Sequence, residues 1–445
     1  MRTPRHRILR LWAPLEAAWL LMGVEGPYLA AILARLPDPT LNLAAFGVAW
    51  GFAMLFESPV ILIMSATTAL VENRPSLRKL EAFSHAMNGT VTLGLALFVL
   101  PPVFRTVTGT LMGLPPEVVR LAHPACALLL PWPAAIGYRR FKQGLLVRAG
   151  LTRRVAYGTT LRLTTMSVTA AALALGTSLP GACVGTASLS AGVTLEALAS
   201  RFWARQARRT MLATDPSPEY ARKPLDFPAI ARFYLPLAAT SVMALALNPT
   251  ISFLLGRSRM ALESLAVMPV VNSLSFLFIT AGLTFQEVAI TLYAQDPASL
   301  RDLRRFALRL AVLSSGGLAL LAATPLADLW LRRVAGLAPG LAQFARLPVA
   351  ITAVLPALAA LICFQRALLV ALRTTRTITW STAVEVAGTA TALFALTQAA
   401  GWVGAVAAVS AMVAGRVAAL GYLLPQTRRA LRKAAPQAAL AVPVK

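Results

Sequence analysis

The chain has 445 residues, 57% of them hydrophobic and 13% charged, with a formal net charge of +25 and a mean hydropathy of +0.67. Ordinary soluble domains are about 45–50% apolar and about 25% charged, so a single soluble core is excluded. The basic residues sit in short connections between apolar runs rather than on one face or arm, which argues against a nucleic-acid partner.

The N-terminus (MRTPRHRILRLW) is basic and then apolar, like a signal peptide. The apolar run continues past Tyr28 without a good cleavage site, and we read an uncleaved first span. Twelve apolar runs long enough for a hydrocarbon core of roughly 30 Å follow one another. The expected spans are 9–35, 41–71, 80–105, 118–147, 153–177 and 182–206, then 228–256, 262–294, 304–330, 346–372, 376–398 and 402–425. With a cytoplasmic N-terminus the inside connections hold 29 Lys and Arg and the outside ones seven. The positive-inside rule therefore places both termini in the cytoplasm. Domain boundaries follow: an N-lobe over 1–210, an inter-lobe linker over 211–226, a C-lobe over 227–433 and a disordered tail over 434–445.

An internal duplication underlies this order. The stretch 139–163 (RRFKQGLLVRAGLTRRVAYGTTLRL) recurs at an offset of 223 residues as 362–386 (ICFQRALLVALRTTRTITWSTAVEV), with Phe141 on Phe364, Thr152 on Thr375 and Arg153 on Arg376. The first span opens RLWAP and the seventh RFYLP at offset 222, where Pro27 also meets Pro249. After the second and eighth spans, SLRKLEAF meets SLRDLRRF at offset 223. Six spans per half is an even number, so the halves insert alike, as parallel repeats. Substrate is then expected near the midplane, between the lobes. The fold class is all-α integral membrane, with two parallel six-helix lobes.

An ionisable side chain at mid-membrane costs about 2.5–3.5 kcal/mol on insertion scales, so Glu16, Glu25, Glu57, Arg162, Glu196, Glu287, Arg366, Glu385 and Arg416 need a reason to be there. Arg162 and Glu196 lie at nearly the same depth, about 12 Å in at 1.5 Å per residue, and are expected to pair within about 4 Å. The repeat sets Glu385 at the position of Arg162 and, at an offset of 220, Arg416 at that of Glu196. Each half would hold one Arg–Glu pair with its sign reversed. Such pairs either lock adjacent helices or line a translocation path.

Glu25 stands two residues before Pro27 and Glu57 two before Pro59, where proline removes a helix hydrogen bond. Carboxyls beside broken backbone suit proton or sodium coupling, or bond the freed donors. Glu287 is a weaker candidate on the same logic. Arg139, Arg140, Lys142 and Arg366 gather near the cytoplasmic ends of the fourth and tenth spans. They serve either as snorkelling anchors or as a vestibule for an anionic substrate. Asn248 and Asn272 are further polar positions that could touch substrate.

The three cysteines lie in apolar segments without metal-ligand spacing. No P-loop, HExxH or nucleophile elbow occurs, and no cofactor or catalytic residue is expected. Twelve spans in two parallel repeats fit a major-facilitator or a MATE-like transporter. The stretches LNLAAFGVAWGFAMLFESPV (41–60), PLAATSVMALALNPTISFLLGR (236–257) and LESLAVMPVV (262–271) resemble the progressive ankylosis protein family, and LLLPWPAAIGYRRFKQGLLV (128–147) does so more loosely. That resemblance implies a MATE-like fold of the MOP superfamily and export of citrate-, pyrophosphate- or nucleotide-like anions. It also implies a functional carboxylate on the first helix beside a bend, for which Glu25 is the matching position. The expected protein is a monomeric secondary transporter of the bacterial inner membrane with a small anionic substrate. Proton- or sodium-coupled export of cationic drugs and lipid-linked flipping are the alternatives.

Overall fold

Prolines decide where the helices of this chain bend. In the computed structural model, which describes residues 5–151, 153–216, 225–372, 374 and 376–440, the described residues are almost wholly helical. Pro27 has no N–H to offer the carbonyl four residues back, and the first helix breaks there into Arg5–Gly23 and Glu25–Leu33. Pro249 does the same at Leu245, dividing Phe227–Leu245 from Leu247–Gly256. The fourth apolar run bends by 41° between Pro116–Ala127 and Trp132–Arg148. The tenth divides at the equivalent place, between Pro339–Thr352 and Leu355–Ala371.

Among the described residues, eight helices are long and apolar enough to cross a membrane, nine if the bent pair counts as one span. The expected first, fifth and eleventh spans are helical as well, at Arg5–Leu33, Arg153–Gly176 and Arg376–Phe394. Their polar residues leave them less apolar than the others.

The duplication reaches the backbone. A π-helical turn at Thr106–Leu111 recurs at Leu329–Val334, and the glycine after each, Gly113 and Gly336, has φ of +67° and +76°. Asp38 and Met260, non-glycine residues with φ of 52° and 54°, precede the helices Pro39–Glu57 and Ala261–Gln295 at offset 222. Asn42 Oδ1 accepts the Ala182 backbone N–H (2.8 Å), and Ser264 Oγ accepts that of Ala405 (3.0 Å). In each repeat, a polar side chain early in one helix caps the open N-terminus of another.

The compact units do not follow the expected lobes. One consists of Arg35–Arg257, the other of Met1–Ala34 with Ser258–Lys445. Each half thus lends its first helix to the unit built from the other half, and matching contacts hold both. In the second unit, Trp12 Nε1 donates to the Ala281 carbonyl (3.2 Å), and the buried Glu16 accepts from Thr280 and Thr284. In the first, Tyr234 donates its hydroxyl to the Pro59 carbonyl (2.5 Å). Trp12 and Tyr234, like Ala281 and Pro59, are equivalent at offset 222. Close approach is allowed by glycine: a Cβ on Gly26 would lie 2.9 Å from Ser273 Cβ.

Two boundaries differ from expectation. The linker expected at 211–226 opens within a short helix, Arg205–Ala213, whose Arg208 pairs with Glu81 (3.0 Å), while 217–224 lie outside the described residues. The last helix, Gly404–Leu440, continues through residues expected to be disordered, as its alanine-rich end favours; 441–445 are outside the described residues.

Candidate functional site

Polar side chains gather within the Arg35–Arg257 unit on three helices. From Trp132–Arg148 come Arg139 and Gln143, four residues apart and so on one face. Arg153–Gly176 supplies Arg162, and Gly181–Trp203 supplies Glu196. Arg139 Nη1 donates to Glu196 Oε2 at 2.8 Å, Gln143 Nε2 to Oε1 at 3.3 Å, and Arg162 Nε stands 3.6 Å from Oε2. The Glu196 side chain is 1% exposed. Two glycines make room: a Cβ on Gly158 would come within 2.7 Å of Glu196 Oε1, and one on Gly192 within 2.9 Å of the Arg162 carbonyl.

Beside this cluster lies the broken end of Pro39–Glu57. Pro59 offers no N–H to the Leu55 carbonyl, which accepts the Ser58 hydroxyl at 2.5 Å and the Ser58 backbone N–H at 3.2 Å instead. The turn leaves Glu57 buried and accepting the Trp132 indole N–H at 2.8 Å. Arg140 lies close enough to Glu57 and Glu196 to feel both charges, and to Arg139 and Arg162 to feel theirs. Arg140 is half-buried, and its Nε has no hydrogen-bond partner among the described residues.

Lys142 belongs to a separate group. It is buried, pairs with Glu81 at 2.9 Å and lies over the rings of Tyr138 and Phe141. Of the vestibule candidates in this unit, Arg139 and Lys142 are therefore engaged in buried ion pairs, and Arg140 is the more exposed.

The other unit holds the repeat of the cluster. Glu385 Oε2 meets Arg366 Nη2 at 3.3 Å and its Oε1 meets Arg416 Nε at 3.4 Å. Arg366 stands at the position of Gln143 and Glu385 at that of Arg162. These side chains are wetter, with Glu385 19% exposed. The helix crossing itself keeps the offset of 223, because Gly415 meets the Glu385 carbonyl as Gly192 meets that of Arg162. Glu196 lies four residues beyond Gly192 and Arg416 one beyond Gly415. That three-residue difference keeps both on one face of the helix, a turn apart.

The remaining candidates are scattered. Glu25 is half-buried in the first turn after its helix break, and Asn248 and Asn272 are half-buried. Glu287 is exposed on Ala261–Gln295. Among the described residues, no group of three or more His, Cys, Asp or Glu is placed to hold a metal ion.

Sequence reasoning paired Arg162 with Glu196 but did not put Arg139 or Gln143 there. The alignment of Gln143 with Arg366 was the available signal. It also left unassigned the contact of Trp132 with Glu57 and that of Glu16 with Thr280 and Thr284.

No family model matches the sequence, and no characterised protein matches it at the sequence level. Solved structures do match. A MATE family multidrug resistance transporter of the MOP superfamily, in an inward-facing conformation, aligns with a TM-score of 0.75 at 14% identity, over 93% of this chain and 95% of that one. The lipid II flippase MurJ aligns at 0.71 and 14% identity, over 97% and 94%. A MOP superfamily transporter from Pyrococcus furiosus, described as having a binding pocket of reverse polarity, aligns at 0.63 and 15% identity, over 95% of each chain. Likeness at this identity establishes architecture: the chain has the multi-pass, all-helical membrane fold of the MATE-like proteins.

Proposed function

We propose that the chain is a secondary active transporter working by alternating access, and that it moves small organic or phosphorylated anions outward across a bacterial inner membrane with both termini cytoplasmic. The observation that carries this reading is a surplus of guanidinium groups in both units. Arg139, Arg140 and Arg162 surround Glu57 and Glu196, and Arg366 and Arg416 surround Glu385. A pocket lined by one excess sign of charge, in surroundings of low dielectric, raises the local concentration of the opposite ion. The resemblance to the progressive ankylosis family points to the same cargo class. In this reading Glu25, Glu57 and Glu287 are the coupling candidates, Arg140 meets the anion, Asn248 and Asn272 line the path, and the transporter acts as a monomer.

Cationic drug export, coupled to protons or sodium, is the second reading, favoured by buried Glu16 and Glu57. Lipid-linked flipping is the third, because MurJ shares the fold. Counterflow in proteoliposomes, with citrate, pyrophosphate and an organic cation side by side, separates the first two. Anion exchange that Arg140→Glu abolishes supports the proposal; exchange of the cation alone refutes it. Glu25→Gln should remove pH-dependent transport while leaving expression intact, and an unchanged pH profile excludes Glu25 as the coupling group.

A further inference from the structure

The buried clusters differ in charge order between the repeats, but one exposed set does not. At offset 223, Arg153 and Tyr157 correspond to Arg376 and Trp380, and Arg205 and Arg209 to Arg428 and Arg432. All six arginines are exposed, and none makes an ion pair among the described residues. Each ring follows its arginine by four residues, one turn along the same helix face. The rings are open too, Tyr157 at 51% and Trp380 at 55%.

Contacts bring each arginine–ring pair beside the second pair of arginines. In the Arg35–Arg257 unit, Arg154 donates from Nη1 to the Trp203 carbonyl and from Nη2 to Gln206 Oε1, both at 2.9 Å. In the other unit, Ile378 and Ala430 pack against the same buried cluster, which contains Leu423. An exposed apolar stripe leads into each set at helical spacing. Leu195, Leu198 and Phe202 run toward Arg205, and Val417 and Leu424 run toward Arg428. Topology asks only for positive charge in these connections, at no fixed spacing. A free phosphate would use the guanidiniums but neither the ring nor the stripe. A phospholipid uses all three: the cations for its phosphate, an amphipathic ring at headgroup level and an apolar face for its chains.

We propose that each unit carries a binding site for an anionic phospholipid, formed by Arg153, Tyr157, Arg205 and Arg209 in one and by Arg376, Trp380, Arg428 and Arg432 in the other. Basic side chains at the membrane surface attract such headgroups, and the repeated Arg–aromatic spacing turns that attraction into a place. The buried charges answer to their neighbours within each unit and differ between the copies. The exposed set answers to the lipid, which is the same for both. Lipid binding does not depend on the cargo proposed above.

The test uses the full chain in a neutral detergent. Native mass spectrometry counts what stays bound as phosphatidylglycerol, phosphatidylcholine or glycerol 3-phosphate is added. Phosphatidylglycerol should be retained over phosphatidylcholine, and glycerol 3-phosphate should be lost. Arg376→Gln combined with Arg428→Gln and Arg432→Gln should remove about half of the retained lipid, since one of two equivalent sites is gone. Trp380→Ser, which keeps every charge, should weaken retention. Arg301→Gln with Arg304→Gln removes exposed charge that has no ring four residues on, and should leave retention unchanged. All these positions are exposed, so the unfolding midpoint without added lipid should stay in place. Equal retention of the two lipids overturns the proposal, as does an equal loss in the Arg301 and Arg304 variant or no loss in Trp380→Ser. Glycerol 3-phosphate held as firmly as phosphatidylglycerol also overturns it, leaving a site for free phosphate.

Discussion

The two charge clusters are copies of one arrangement that have gone separate ways. Around Glu196 the sequence supplies two arginines, a glutamine and a glycine, and excludes water; around Glu385 it supplies two arginines and Ser381 in the glycine's place, and leaves the group wetter. The acidic residue has also changed helices. It sits on Gly181–Trp203 in one unit and on Arg376–Phe394 in the other, with arginine taking the opposite place. What persists is the crossing of two helices at a glycine, with opposite charges facing across it. The difference teaches that the backbone contact is the constraint both copies keep, and that charge order and dryness are what differ between them.

The largest effect should come from removing each acid. Glu196→Gln removes the carboxylate that two buried guanidiniums share, which should cost about 3–5 kcal/mol. Glu385→Gln, in the wetter copy, should cost about 1–2 kcal/mol, between the buried and exposed limits. Unfolding midpoints of the two variants in the same detergent check the order, and equal losses would remove the distinction drawn between the clusters.

Next come the equivalent positions 158 and 381. Gly158→Ala forces a methyl against Glu196 and should cost about 1–3 kcal/mol. Ser381→Ala removes a buried hydroxyl that lacks a hydrogen-bond partner among the described residues, and should be neutral or slightly stabilising. The same midpoint measurement decides, and a destabilised Ser381→Ala would mean that the serine contributes a contact the glycine position lacks.

The last pair concerns the first helix of each half. Tyr234→Phe strips the donor from the Pro59 carbonyl, which lies in a broken turn, at about 1–3 kcal/mol. Trp12→Phe takes a donor from Ala281, inside the unbroken helix Ala261–Gln295, and should cost no more than about 1 kcal/mol for the hydrogen bond. Amide hydrogen exchange at residues 60–63 should rise in the first variant and stay flat at 281–285 in the second.

Much of this was legible before any coordinates. Pro27 marked the bend beside Glu25, its repeat partner Pro249 stands at the equivalent break, and counting residues from the basic connections put Arg162 and Glu196 at one depth. Depth is readable because helical rise is constant; direction around the helix is not, when apolar residues cover most faces. For that reason Arg139 read as a vestibule residue, although it turns inward to Glu196, and Lys142 although it turns to Glu81. The offset of 220 needed for Arg416 looked like a slip in alignment and is a one-turn move along a helix face. The destination of the first helices was hidden for a related cause. RLWAP and RFYLP share their Arg and Pro, and that pattern does not say which half each helix packs against.

That exchange of opening helices governs how the protein must be made. A chain severed between Asp215 and Asp226 would give two fragments, neither containing a whole unit, and each would complete itself only on meeting the other in the bilayer. During synthesis Trp12 and Glu16 enter the membrane long before Thr280 and Thr284 exist. The opening segment therefore waits without its lasting neighbours, and the final half of translation closes the structure that the first few dozen residues began.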